Sequence, residues 1–133
     1  MKGGEALYID SEELLHDFLK RALGEKGIPS ESIVDVYTPE EAVDHLMNLS
    51  DEAPLPRLIL YRCGYKEEES ISFLQQVRAE ESRFKDIPLF LIADNLSLRL
   101  RTVARELGVD HIFPYPYDDV SELTGPVVEL LAA

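Results

Sequence analysis

Pro56-Arg57-Leu58-Ile59-Leu60-Tyr61-Arg62 is a strand-length apolar run that follows a proline-rich loop and closes on a permanent cation. An uninterrupted stretch of large apolar residues, too short for a helix, predicts a central, buried strand over 57–61. Burying the end of such a strand beside an arginine has a cost, so Arg62 needs a partner or an exit to solvent.

Working outward, the same alternation of strand-like runs and helical periodicity recurs along the whole chain. Upstream, 5–9 reads as a short buried strand ending at Asp10. Residues 11–23 carry Leu14, Leu15, Phe18, Leu19, Ala22 and Leu23 at the spacing of one helix face. Gly24 and Gly27 then stop that helix. Residues 32–37 alternate as a second strand. Thr38-Pro39-Glu40-Glu41 is a helix start, with Thr38 as cap, Pro39 in the first turn and Glu41 completing a capping box. Ala42, Val43, Leu46 and Met47 form the face this second helix is expected to bury, and 51–56 is a loop.

Downstream, 70–80 is helical, with Ile71, Leu74 and Val77 on one side. Residues 87–92 form a fourth strand, 97–107 a fourth helix stopped by Gly108, and 109–113 a fifth strand. A last helix covers 120–131, where Pro126 predicts a kink or break because proline costs a helix interior about 3 kcal/mol. Five strands alternating with five helices imply an α/β fold of three layers, a doubly wound five-stranded parallel sheet. At this size the strand order 2-1-3-4-5 is the expected one. No repeat or linker divides the chain, so residues 1–133 read as one domain.

Composition narrows the function. The chain has 133 residues, 45% of them hydrophobic, and a net charge of −13 from 26 acidic and 13 basic side chains. That is enough apolar material for a core. The negative surface opposes nucleic acid and anionic lipid, although acidity also simply keeps a domain soluble. The longest apolar runs are strand-sized, so no membrane span is expected, and the start of the chain lacks a secretion signal. The single cysteine fits a reducing, cytoplasmic setting.

The marks at the strand ends resemble the receiver domain of bacterial two-component response regulators, over nearly the whole chain from Ala6 to Leu131. Leu7-Tyr8-Ile9-Asp10-Ser11 is similar to the first strand, where that family has paired acids. Pro56 to Arg62 is similar to the third strand, which ends at the phosphoacceptor. Ile87-Pro88-Leu89-Phe90-Leu91-Ile92-Ala93 is similar to the fourth, whose last position is normally Ser or Thr. Gly108-Val109-Asp110-His111-Ile112-Phe113-Pro114-Tyr115-Pro116 is similar to the fifth and its Lys-Pro step, usually cis, so Tyr115-Pro116 is expected to be cis.

Each of these places departs from the active pattern. Asp10 is the one acid left of the pair, since Ser11 stands at the second place. Arg62 replaces the nucleophilic carboxylate and has no lone pair to attack phosphorus. Ala93 lacks the hydroxyl, Tyr115 replaces the lysine, and the aromatic switch position is Ile112. The resemblance therefore implies a pseudo-receiver, not an enzyme, without metal or cofactor. If the strand ends converge, Arg62 pairs with Asp10 where the family holds a cation; otherwise it points into solvent as a loop residue.

Cys63 has no base within easy reach, because His111 belongs at the far end of the sheet and His16 and His45 sit on helices. It reads as a small packed residue. The three histidines lie on separate elements and give no zinc spacing, and Glu67-Glu68-Glu69 reads as a solvated loop or helix start. Arg99, Arg101 and Arg105 cluster on the fourth helix, with Tyr115 and Tyr117 following the fifth strand. In receivers the face of fourth helix, fifth strand and fifth helix docks partners. The expected partner is a protein, another domain of a longer chain, or a second copy through that face; a plain solvated helix is the alternative. A rival function is an anionic-ligand sensor at the crevice of Asp10, Arg62, Ala93 and Tyr115.

Overall fold

The computed structural model describes residues 5–63, 66–93 and 96–132. Strands β1 (Ala6–Ile9), β2 (Ile33–Val36), β3 (Leu58–Arg62), β4 (Leu89–Ala93) and β5 (His111–Pro114) alternate with helices α1 (Glu13–Gly24), α2 (Pro39–Met47), α3 (Glu67–Arg78), α4 (Leu98–Glu106) and α5 (Ser121–Leu131). All strand pairs are parallel and the order is β2-β1-β3-β4-β5, the arrangement the sequence predicts.

Side-chain alternation along the strands builds two cores, one on each face of the sheet. Leu7, Ile9, Ile59, Tyr61, Leu89, Leu91 and Ala93 pack under α2, α3 and α4. Ala6, Tyr8, Leu58, Leu60, Phe90 and Ile92 pack under α1 and α5. Each large aliphatic side chain buried this way contributes about 1.5–3 kcal/mol. Strand parity thus decides which face a residue serves, and it does so again at the functional end.

Local signals explain the helix starts. Thr38 Oγ1 accepts from the Glu41 amide at 3.0 Å, while Glu41 Oε1 accepts from the Tyr37 amide at 2.7 Å. The box therefore closes one residue earlier than the usual pattern. Ser97 caps α4 by accepting from the Leu100 amide. The acidic run Glu67–Glu69 is the first turn of α3, where carboxylates meet the positive end of the helix dipole.

Three expectations are corrected. The fifth helix runs unbroken through Pro126; the proline sits in the helix interior and forfeits one bond, which burial of Leu123 and Val127 on the same helix outweighs. Met47 is 70% exposed, whereas Ala42 and Leu46 of the same helix are buried. On α1, Leu14 is 79% and Phe18 45% exposed, while His16 is buried with Leu19 and Leu23. The buried face is rotated from the all-apolar one because His16 finds polar partners inside.

Candidate functional site

The strand register brings the carboxyl ends of β1, β3, β4 and β5 to one edge: Ile9 lies beside Tyr61, Arg62 beside Ile92, and Ala93 beside Pro114. Alternation then sorts them. Asp10 and Arg62 follow Tyr8 and Leu60 onto the α1/α5 face, and Tyr115 follows Phe113 there. Ala93 and Ile112 belong to the opposite core, and Ser11 is exposed. Asp10, Arg62 and Tyr115 therefore converge, whereas Ala93 and Ile112 do not join them; Ser11 borders the same cavity as Asp10 and Arg62.

At the centre is a buried ion pair. Arg62 Nε donates to Asp10 Oδ1 at 3.0 Å, with the Asp10 side chain fully buried and that of Arg62 8% exposed. The Glu12 amide donates to the same oxygen at 3.0 Å, and the Tyr8 hydroxyl donates to Oδ2 at 2.5 Å. Arg62 also donates through Nη2 to the exposed carboxylate of Glu12 at 2.5 Å. Its guanidinium stands 5.1 Å from the centre of the Tyr115 ring, in cation–π contact. Tyr115 meets Tyr117 edge-on at 5.2 Å, and the Tyr115-Pro116 bond is cis, as expected.

Electrostatics follow from this packing. Burial first, then the charge and hydrogen bond of Asp10, push the Tyr8 hydroxyl far above the ordinary phenol range. Tyr117 is pushed up by burial and by the Asp10 and Tyr115 charges. Both phenols stay neutral donors at any physiological pH. A divalent cation does not fit these residues. Asp10 has both oxygens engaged by three donors, and the guanidinium already supplies the compensating charge. Among the described residues, no three His, Cys, Asp or Glu side chains gather as a metal site.

A second polar cluster lies alongside, and the sequence reading missed it. His16 Nδ1 stands 2.7 Å from Asp35 Oδ1, and its Nε2 stands 2.7 Å from the Asp10 carbonyl oxygen. Its ring is held between Tyr8 and Tyr37, each 4.5 Å away. Each ring nitrogen thus faces an oxygen. Lys20 Nζ donates to Asp35 Oδ2 at 2.7 Å. Burial raises the Asp35 carboxyl, but the Lys20 and His16 hydrogen bonds prevail and hold it below the carboxylate range. Asp35 lies 15 residues from Lys20 and 19 from His16, a link that needs the β1–β2 register to become visible.

The proposed interaction residues divide between the two faces. Arg99 reaches across to Glu67 and Glu68 on α3, while Arg101 and Arg105 are exposed on the outside of α4. Tyr115 and Tyr117 pack with α1 and α5 on the other side of the sheet, where Phe18 stacks on Tyr117. Cys63 is buried in the α3/α4 core, and His111 opens β5 at the opposite end of the sheet. An open cavity of about 280 Å³ borders Asp10, Tyr37, Tyr61, Arg62, Lys66 and Glu69.

Neither a family model nor a curated protein matches the sequence. Solved structures do match over nearly the full length. A response regulator receiver protein from Pseudomonas putida superposes with a TM-score of 0.78 at 18% identity, covering 97% of this chain and 98% of that one. A two-component response regulator from Legionella pneumophila gives 0.75 at 19%, covering 95% and 98%. The signal receiver domain of a histidine kinase from Syntrophus aciditrophicus gives 0.74 at 24%, covering 98% and 91%. The chain has the receiver fold.

Proposed function

We propose that this domain is a receiver-fold module that does not accept phosphate and acts by contact with another protein. The observation that carries the reading is the Asp10–Arg62 ion pair. At the third-strand position where the fold's signalling members keep a carboxylate stands a cation, hydrogen-bonded to Asp10 and to Glu12. Phosphoryl transfer needs a nucleophilic carboxylate and a bound cation there, and the guanidinium supplants both.

The test is incubation with a small-molecule phosphodonor and Mg²⁺, followed by intact-mass measurement, with an active receiver as positive control. No added phosphate is expected; a covalent phosphate on any aspartate would sink the reading. Of the contact surfaces, the outer side of α4 offers Arg101 and Arg105 beside exposed Leu98. It suits a protein partner, another domain of a longer chain, or a second copy. A partner captured by the parent and lost in Arg101→Glu would place the contact there.

The anionic-ligand reading is weaker. The guanidinium is already held by Asp10 and Glu12, a pair of carboxylates whose summed charge exceeds its own. An incoming anion would meet net negative charge. Among the described residues no helix is long and apolar enough to cross a membrane.

A further inference from the structure

We propose that the groove between α2 and α3 binds a small lipophilic cation, a ring-sized apolar body carrying one protonated amine. The site lies toward the carboxyl ends of those helices, at the end of the sheet where the strands begin and away from Arg62. It does not depend on the phosphate reading above.

An open cavity of about 510 Å³ is lined there by buried Leu46, Val77 and Phe84 and by the more exposed Val43 and Met47. That volume falls within the range of small-ligand sites. Exposed Met47 has a flexible thioether, which adapts readily to the shape of what it covers. Arg83 walls one side. Its guanidinium donates to the carbonyls of Leu49 and Ser50 at 3.2 and 3.1 Å and stands 5.5 Å from the centre of the Phe84 ring. The loop after α2 is thereby tied to the segment before β4, so little ordering remains to be done on binding. On α2 the apolar stretch runs only from Val43 to Met47, about 6 Å at the rise of a helix. A partner helix sets its anchors over i to i+7, about 10 Å, so the length favours a small molecule.

Charge selects the rest of the ligand. A second depression, of about 410 Å³, shares Val43 and Gln76 with the first and is bordered by Glu40, Asp44 and Glu69. Glu40, Val43, Asp44 and Met47 recur at the spacing of one helix face, so acid and apolar side chains share one stripe. Glu81 borders the apolar end. Among the described residues none of these four acids is ion-paired. Glu40 and Glu69 stand in the first turns of their helices, where the dipole accounts for them; Asp44 and Glu81 have no such explanation. Arg83 is no anchor for an anion, since it is held by two carbonyls and lies 3.7 Å from Asp51. Beyond Glu69 the groove meets Lys66 and Arg62 of the strand-end cavity, which bounds a cationic head on that side. An apolar body in the larger cavity therefore sets its amine about one helical turn, ~5 Å, away against Asp44 and Glu40.

The probes are naphthylethylamine, the neutral naphthylethanol and the anionic naphthylacetate, each titrated by NMR into the full chain. The amine should saturate, shift amides of residues 43–47 and 76–84, and bind more weakly as salt rises. The alcohol should bind about tenfold more weakly and the acetate more weakly still. Asp44→Asn should weaken the amine about threefold and, joined to Glu40→Gln, about tenfold, while leaving the alcohol unchanged. Met47→Ser should weaken amine and alcohol alike by about fivefold, without unfolding, because Met47 is largely in water already. Phe18→Ala, across the sheet on α1, should change nothing. Failure of the amine to saturate, shifts scattered over the acidic surface instead of the groove, or equal binding of the acetate would overturn the proposal. So would indifference of the amine to both Asp44→Asn and Met47→Ser.

Discussion

Replacing Arg62 is the sharpest perturbation available. Arg62→Met keeps most of the bulk and removes the charge. Asp10, fully buried, then loses the charge-assisted bond at 3.0 Å and keeps only the Tyr8 hydroxyl and the Glu12 amide. Breaking one side of a buried pair costs about 3 kcal/mol. The Glu12 contact adds little, being 60% exposed on the Glu12 side. Loss of the cation over Tyr115 adds about 0.5 kcal/mol. At about 4 °C per kcal/mol for a domain of this size, the melting temperature should fall by roughly 12–15 °C.

Arg62→Asp should cost more, since two carboxylates about 4 Å apart repel by about 4 kcal/mol at an effective dielectric of 20. One of the two would then hold its proton to higher pH than an unfolded carboxylate does. The native state binds the extra proton, so stability of this variant should climb as pH falls through that raised value. Urea denaturation at constant m-value, run at several pH values, measures both effects. A cycle with Asp10→Asn should give a coupling of about 2 kcal/mol. A variant within about 0.5 kcal/mol of the parent at neutral pH would refute the buried pair, as would the absence of coupling.

His16→Phe keeps a ring between Tyr8 and Tyr37 but donates nothing to Asp35 or the Asp10 carbonyl, and should cost about 2 kcal/mol; a phenylalanine variant as stable as the parent would reduce His16 to packing. Arg78 donates to the carbonyls of Leu107, Lys85 and Ile87 at 2.8–2.9 Å, tying the ends of α3 and α4 to the segment before β4. Arg78→Met should therefore cost about 3 kcal/mol and lower hydrogen-exchange protection in β4 and β5, with Arg78→Lys recovering little. Asp35 is held below its ordinary 3.8, so its contribution is present above that value and is lost as pH falls through the depressed one. Lys20, raised above 10.5 chiefly by its hydrogen bond to Asp35, contributes below 10.5 and loses it as pH rises through the raised value. Asp35→Asn should flatten both limbs of the stability–pH curve; an unchanged acid limb would refute the assignment.

The fold was legible because every signal that sets it is local: strand-length apolar runs, helical spacing, Thr38 and Gly108 as punctuation. The pairing of Asp10 with Arg62 was legible too, and strand parity strengthens it, since Tyr8, Asp10, Leu60 and Arg62 share one face. Parity also shows why Ala93 and Ile112 stand apart from that pair. What stayed hidden depends on contacts between distant segments. A histidine among leucines looks like an interruption of the apolar face until the β1–β2 register brings Asp35 to it. With His16 turned inward, Leu14 and Phe18 turn outward, so one missed polar contact moved the apparent apolar face of α1. Arg78 is invisible for the same reason: its carbonyl partners at Leu107, Lys85 and Ile87 come from two separate loops.

The ion pair continues outward into a run of ring contacts. Asp10 holds Arg62, Arg62 lies over Tyr115, Tyr115 abuts Tyr117, and Tyr117 stacks on Phe18. A run of contacts does not by itself make a switch; that requires an element with two arrangements and a ligand that prefers one of them. In our reading the phosphoryl group that would play that part has no carboxylate at position 62 to receive it. The guanidinium then works as a brace, compensating the buried Asp10 carboxylate and standing against the Tyr115 ring. A permanently ordered surface pays less entropy on binding than one that must first be switched. One arginine thus both stands at the end of the third strand and anchors the ring contacts above it.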